Sequence, residues 1–339
     1  MLAAMSEDSL ALDARAAGYV LQPLPQVNAS EVLQHYEELT FPPLARRLAL
    51  ARASGRWQGA LALASSGPVG LALVEISAQG PAQLFSLAVL PAHRRRGVAT
   101  ALVDLVERLA REAGASALEG AYRTSWRTRH AIEALLAARG WSSPETRMVL
   151  ARGDTAFARH LLRRPPPALP EGAELFGWEE LTGAERDDLL ARQETDPWYP
   201  EILTPFQEQP RLEPAISVGL RLFGGDGPER ESTSSAGRGE IVGWLMCHRV
   251  TFDTLQYSAF FVREDLRGRG LGWALLREAV RRRLADPDIR FTILAVDARN
   301  QRMLALLEQH LRPYLVGTSE LRVSSKPLSS RAAGSTDAM

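Results

Sequence analysis

Cysteine is nearly absent. Cys247 stands alone in 339 residues, which excludes an internal disulfide and any metal site built on several thiolates. A net excess of charge is absent as well: forty basic side chains balance forty acidic ones, so no global field draws the chain to nucleic acid or to an anionic membrane. No run approaches the roughly 20 apolar residues needed to span a bilayer. Glu7, Asp8 and Asp13 stand where a secretory leader needs a basic start and an unbroken apolar stretch. The expectation is a protein of the reducing cytoplasm with no metal, no nucleic-acid partner and no membrane partner. A Gly-Lys-Ser/Thr phosphate loop is missing too, and no G-x-G-x-x-G opens a βαβ unit, which argues against P-loop and dinucleotide-binding folds.

What is present is length enough for about two domains and an apolar content that can bury two cores. Four prolines within residues 163–170 exclude helix and predict a stiff spacer. On either side the chain repeats itself. Val69-Gly70 and Val242-Gly243, Val89 and Val262, Arg94 and Arg267, and Gly97 and Gly270 are each 173 residues apart. The boundaries that follow are an N-terminal extension over 1–18, a first domain over 19–163, a linker over 164–172, a second domain over 173–323 and a flexible tail over 324–339. Residues 224–239 carry almost no apolar side chains and predict a long hairpin loop.

Each copy predicts the same order of elements. A short strand (19–24, 173–178) leads to a helix that starts at a capping residue three before a Glu, near Asn28 to Glu31 and Thr182 to Glu185. A hairpin follows (60–64 with 69–76, 215–222 with 241–250), and then a strand (84–89, 258–262). An Arg/Gly-rich turn opens an amphipathic helix (99–113, 271–284), and a further strand (117–122, 291–296) and a last helix complete the copy. The fold class is α/β, a mixed α+β sandwich, duplicated.

The turns carry the chemistry. Val89-Leu90-Pro91-Ala92-His93-Arg94-Arg95-Arg96-Gly97-Val98-Ala99 and Val262-Arg263-Glu264-Asp265-Leu266-Arg267-Gly268-Arg269-Gly270-Leu271-Gly272 each contain R-x-x-G-x-[GA] between a strand and a helix. Such a turn aims backbone N–H groups and a helix dipole at an anion, and small residues let a phosphate come close. A solvated basic face explains one such run, but not two at equal spacing in the same context.

These motifs resemble those of the GNAT superfamily of acyl-CoA-dependent N-acyltransferases, in tandem, over residues 19 to about 150 and 173 to about 323. The second copy matches the motif fully, and the first replaces the last Gly by Ala99. The resemblance implies that Val89, Arg94, Arg95, Arg96, Gly97, Val98 and Ala99, and Val262, Arg267, Gly268, Arg269, Gly270, Leu271 and Gly272, hold the pyrophosphate of acetyl-CoA or another acyl-CoA. It also implies a splay between the strands ending near Val89 and Tyr122, or Val262 and Val296, that admits the pantetheine arm. Leu136 and Leu307 occupy the positions where the family carries its tyrosine acid. The second copy keeps the family's Asn at the start of the last helix as Asn300, which the resemblance places among the coenzyme-binding residues, and the first copy lacks it, which tilts turnover to the second half.

Direct transfer to an amine needs a base. His248, Asp297 and Tyr257 are the catalytic candidates of the second half, with Asp253 nearby, and Glu75, Ser86 and Tyr122 are those of the first. A strand histidine equally serves as a structural residue, and Asp297 equally serves as a helix cap. Trp198, Tyr199 and Glu201, with Phe41-Pro42-Pro43 in the first copy, would recognise a cationic amine, or would form a packed Pro-aromatic loop. The implied activity is acyl transfer, acetyl by default or longer-chain, to the primary amine of a small metabolite or peptide. The other reading is a CoA-binding pseudoenzyme or sensor. A monomer, its two halves an internal pseudo-dimer, or a weak dimer is expected.

Overall fold

Alternating apolar residues in runs of five to twelve residues produce the strands, and apolar side chains at helical spacing produce the helices between them. The computed structural model describes residues 18–24, 36–39, 56–77, 80–163, 165–206, 212–223 and 239–328. In chain order the elements are β1 (Val20–Leu24), β2 (Arg56–Ala64), β3 (Gly67–Ile76), β4 (Ala82–Val89), α1 (Val98–Glu112), β5 (Ala117–Arg123), α2 (Arg129–Ala138), β6 (Glu145–Asp154) and α3 (Thr155–Leu162). Then follow β7 (Ala173–Gly177), α4 (Gly183–Thr195), β8 (Val218–Leu222), β9 (Glu240–Thr251), β10 (Thr254–Val262), α5 (Leu271–Ala285), β11 (Phe291–Asp297), α6 (Gln301–Leu306) and β12 (Gly317–Pro327). The helix expected near Asn28, the Phe41-Pro42-Pro43 segment and most of the 224–239 loop lie outside the described residues.

The chain divides into two units, one within residues 1–147 and 321–339, the other within 148–320. In the first the strand order is β1-β2-β3-β4-β5-β12, and in the second β7-β8-β9-β10-β11-β6. Neighbours are antiparallel except for β4 with β5 and β10 with β11, which run parallel. The last strand of each unit comes from the other repeat. Met148–Asp154 pairs in full with β11, and Leu321–Pro327 pairs in full with β5. The units therefore do not part at the proline-rich stretch. Residues 324–327, expected to begin a tail, are strand, and α3 and the strand that ends each repeat were not foreseen. The strand expected over 215–222 begins only at Val218, because Ile216 and Ser217 donate their N–H groups back to the Glu213 carbonyl in a turn.

In the first unit α1 lays Val98, Leu102, Val103, Val106 and Leu109 on a core with Val69, Ala72, Val74, Leu118 and Trp141. In the second, α5 and α3 cover Val242, Leu245, Cys247, Leu255 and Tyr257. The opposite face of that sheet carries Trp178, Tyr199, Trp244, Met246 and Phe261. Helix α4 starts where its sequence signals: Glu185 N–H donates to Thr182 Oγ1 at 3.2 Å while the Glu185 carboxylate accepts from Thr182 N–H at 2.8 Å.

Candidate functional site

The repeated Val-Gly dipeptide sets the geometry around each turn. At Val69 and at Val242 the ladder to the preceding strand skips one residue. The carbonyl of that bulged valine accepts the N–H of Leu90 in the first unit and of Arg263 in the second, each at 2.9 Å. The adjoining glycine allows close packing. A Cβ on Gly70 would lie 3.0 Å from Leu102 Cδ1, and one on Gly243 would lie 2.9 Å from the Phe261 carbonyl oxygen. The strand end and the turn that follows it are thereby fixed against the helix.

Each turn is then held by its first arginine. Arg94 Nε donates to the Val89 carbonyl at 2.9 Å, and Arg267 Nε donates to the Val262 carbonyl at 3.1 Å. Two residues in each turn are left-handed, Arg95 (φ 61°) and Gly97 (φ 82°) in the first and Gly268 (φ 81°) and Gly270 (φ 80°) in the second. Gly97 and Gly270 precede helices α1 and α5 with no side-chain cap. The first N–H groups of those helices, beginning at Val98-Ala99 and Leu271-Gly272, are thus presented to an external acceptor. Arg94, Arg95 and Arg96 are exposed around one turn, and Arg267 and Arg269 around the other. Positive charge, small residues and N–H groups together fit a pyrophosphate.

Beside each turn the sheet opens. Strand β4 pairs with β5 only through Ala82, Gln83 and Leu84, and β10 pairs with β11 only from Thr254 to Tyr257. Beyond these pairs the parallel strands separate up to Val89 and Val262. At the opening, β4 and β10 each carry a bulge of their own. The ladder skips Phe85 in β4 and Ser258 in β10, again 173 residues apart. A cleft with an anion cradle at its mouth suits a long ligand with a phosphate end, such as the CoA moiety that the sequence motif implied.

The predicted catalytic residues do not converge. Tyr257 is buried in the core under α5, its hydroxyl has no hydrogen-bond partner among the described residues, and burial pushes its ionisation up. It therefore stays protonated at neutral pH. Asp297 accepts from Arg299 Nε at 3.0 Å and Nη2 at 2.8 Å and from the Arg299 N–H at 2.8 Å, so its carboxylate locks the turn before α6. Asn300 caps α6 by accepting from Met303 N–H at 3.1 Å. Asp253 accepts from Thr254 and Thr251, which hold its carboxyl below the usual range in the β9–β10 hairpin. In the first unit Tyr122 donates to Glu133 at 3.1 Å, and burial with that carboxylate pushes it up to about 12. Leu136 and Leu307 are core residues. His248 differs: its imidazole is buried on β9, and its Nδ1 meets the hydroxyl of Ser258, the bulged residue at the opening.

The segment after α4 takes the packed form. Tyr199 stands edge-on to Trp244 at 5.0 Å, Trp198 meets Trp244 at 5.6 Å, and Gln193 ties the backbone of both residues. The Trp198 ring is covered by the Arg192 guanidinium at 4.4 Å, which occupies the face a cationic amine would use. Glu201 begins a short 3₁₀ turn (Glu201–Leu203) and is exposed. Ser258 was missed from the sequence because the bulge that exposes it is a matter of register. Its signal was its place 173 residues after Phe85.

A model of the acetyltransferase (GNAT) family matches residues 24–140 and 190–311, more than half of the chain. Among solved structures, a tandem GNAT protein from the clavulanic acid biosynthesis pathway superposes with a TM-score of 0.63 at 18% identity, over 91% of this chain and 99% of that one. A glucosamine N-acetyltransferase region of a fungal multi-domain GH3 β-N-acetylglucosaminidase gives 0.59 at 16% identity, over 91% of this chain and 38% of that one. A GCN5-related N-acetyltransferase from Sphaerobacter thermophilus gives 0.51 at 17% identity, over 91% of this chain and 96% of that one. Comparison with curated protein sequences gives no match.

Proposed function

Since the chain belongs to the acetyltransferase (GNAT) family, we propose that it is an N-acyltransferase, moving an acyl group, acetyl by default, from acyl-CoA to a primary amine of a small metabolite or peptide. The observation that carries this reading is the coincidence, in each unit, of an uncapped helix start, left-handed turn residues and a sheet that opens beside them. When bound, acyl-CoA would supply the activated carbonyl. Val262, Arg267, Gly268, Arg269, Gly270, Leu271 and Gly272 would hold its pyrophosphate in the second unit, and Val89 with residues 94–99 would do so in the first. The amine attacks the thioester carbonyl, and the CoA thiolate leaves and takes its proton from water, since Leu136 and Leu307 offer none.

We assign turnover to the second unit, where glycine fills both left-handed positions and a buried histidine meets the exposed serine at the opening. The competing reading, a CoA-binding sensor, draws support from Asp297, Tyr257 and Tyr122, each engaged or buried. Thiol release from acetyl-CoA, followed with DTNB across an amine panel that includes glucosamine and lysyl peptides, separates the two. Release that depends on an amine and falls at least tenfold in Arg267→Glu, more than in Arg94→Glu, supports the enzyme. Tight binding of CoA by calorimetry with no release from any amine supports the sensor. A cytoplasmic, monomeric protein is the setting we propose, and sedimentation measures the latter.

A further inference from the structure

The two bulges are equivalent in backbone and opposite in chemistry. In the first unit the bulged residue is Phe85, whose ring packs edge-on against Trp57 at 5.2 Å, and the residue on β3 that corresponds to His248 is Glu75. In the second unit the bulged residue is Ser258, which is exposed. Its hydroxyl lies between His248 Nδ1 and the Met246 carbonyl, 3.2 Å from the latter. Ser258 is the first residue of β10 beyond the last pair with β11, so it stands at the vertex of the opening. From there to Val262, at the turn, is about 13 Å of strand, along which an extended arm anchored by its pyrophosphate would bring its far end to Ser258. The buried imidazole thus reaches that vertex through one exposed hydroxyl.

We propose that Ser258 and His248 form the proton relay of the second unit, an inference that rests on the acyl-transfer reading above. As the amine nitrogen bonds to the thioester carbon, its proton passes to Ser258 Oγ while the Ser258 proton passes to His248 Nδ1. The carbon–sulfur bond breaks, the electron pair leaves on the CoA sulfur, and water protonates that thiolate. The imidazolium returns its proton to water through the same hydroxyl, so acyl-CoA and amine give amide and free CoA. Ser258 is the catalytic residue, because it touches the amine, and His248 acts through it. The first unit, with Phe85 at its vertex, binds acyl-CoA without this route.

The test uses the full chain with the amine that turns over fastest, in wild type, Ser258→Ala, Ser258→Thr, His248→Gln and the alanine–glutamine double variant. A relay predicts that kcat falls about 10²-fold in Ser258→Ala and in His248→Gln. It predicts that the double variant falls no further, since the two act as a unit, and that the threonine hydroxyl restores most of kcat. Acetyl-CoA affinity by calorimetry and Tm stay at wild-type values, and the loss is smaller with hydroxylamine, a weakly basic nucleophile that sheds its proton with less help. Full kcat in Ser258→Ala, additive losses in the double variant, or a loss explained by weaker acetyl-CoA binding would overturn the relay while acyl transfer stands. Wild-type protein that releases no thiol with any amine overturns the acyl-transfer reading and the relay with it.

Discussion

Arg95 holds a left-handed backbone that the second copy assigns to Gly268. For a residue with a Cβ this conformation costs about 1 kcal/mol or more, so Arg95→Gly should raise stability slightly, by about 0.5 kcal/mol after the larger chain entropy of glycine, read as a higher urea midpoint. Gly268→Ala should lower stability by about 1 kcal/mol and weaken CoA binding measured by calorimetry. Another residue-level expectation concerns acid. Arg249 donates from Nη2 to Asp286 at 2.8 Å and also pairs with Glu213. The Arg249 guanidinium is the main reason the Asp286 carboxyl ionises below its ordinary range. A depressed carboxyl stabilises the fold fully above its unfolded value, near pH 4, and loses that contribution as pH falls through the folded value. Asp286→Asn should therefore flatten the fall in stability below about pH 4, read from urea midpoints across that range.

At the scale of elements, the Val-Gly dipeptide was legible as a repeat, and its cause lies in packing: a bulge at the valine and a close approach at the glycine. Gly243→Val would press a side chain into the Phe261 carbonyl. We expect that substitution to shift the end of β10 and lower acetyl-CoA affinity, with a stability cost of about 1–3 kcal/mol measured by chemical denaturation. Turn, helix and strand positions were readable because glycine placement and apolar periodicity report local geometry directly. The surroundings of Tyr257 and Asp297 were not legible for a different reason. Which face of β10 a side chain meets depends on the bulge at Ser258, and which partner an aspartate finds depends on a neighbour as near as Arg299. Residue type alone says neither. For the same reason Trp198 and Tyr199 read equally well as recognition residues or as core, since their packing against Trp244 is set by the tertiary fold.

For the whole molecule, duplication was plain in the sequence and the exchange of strands was not. Strands β6 and β12 occupy matching places in the two repeats, so their alternation says that each is a strand without saying whose. Truncation at Val316 removes a piece of the second repeat. It should nevertheless cost the first unit most, with amide protection lost over Ala117–Arg123, the strand that Leu321–Pro327 covers. Protection in Phe291–Asp297, paired with β6, should persist. The exchange also bears on heredity. A duplicated gene can ordinarily be divided again, each half keeping a working copy free to drift, fuse elsewhere or be lost. Here a cut anywhere in the proline-rich stretch leaves each product without its closing strand and carrying the other's. With the strands traded, the two copies make a single heritable unit, in which each half is retained by the other whatever chemistry either performs.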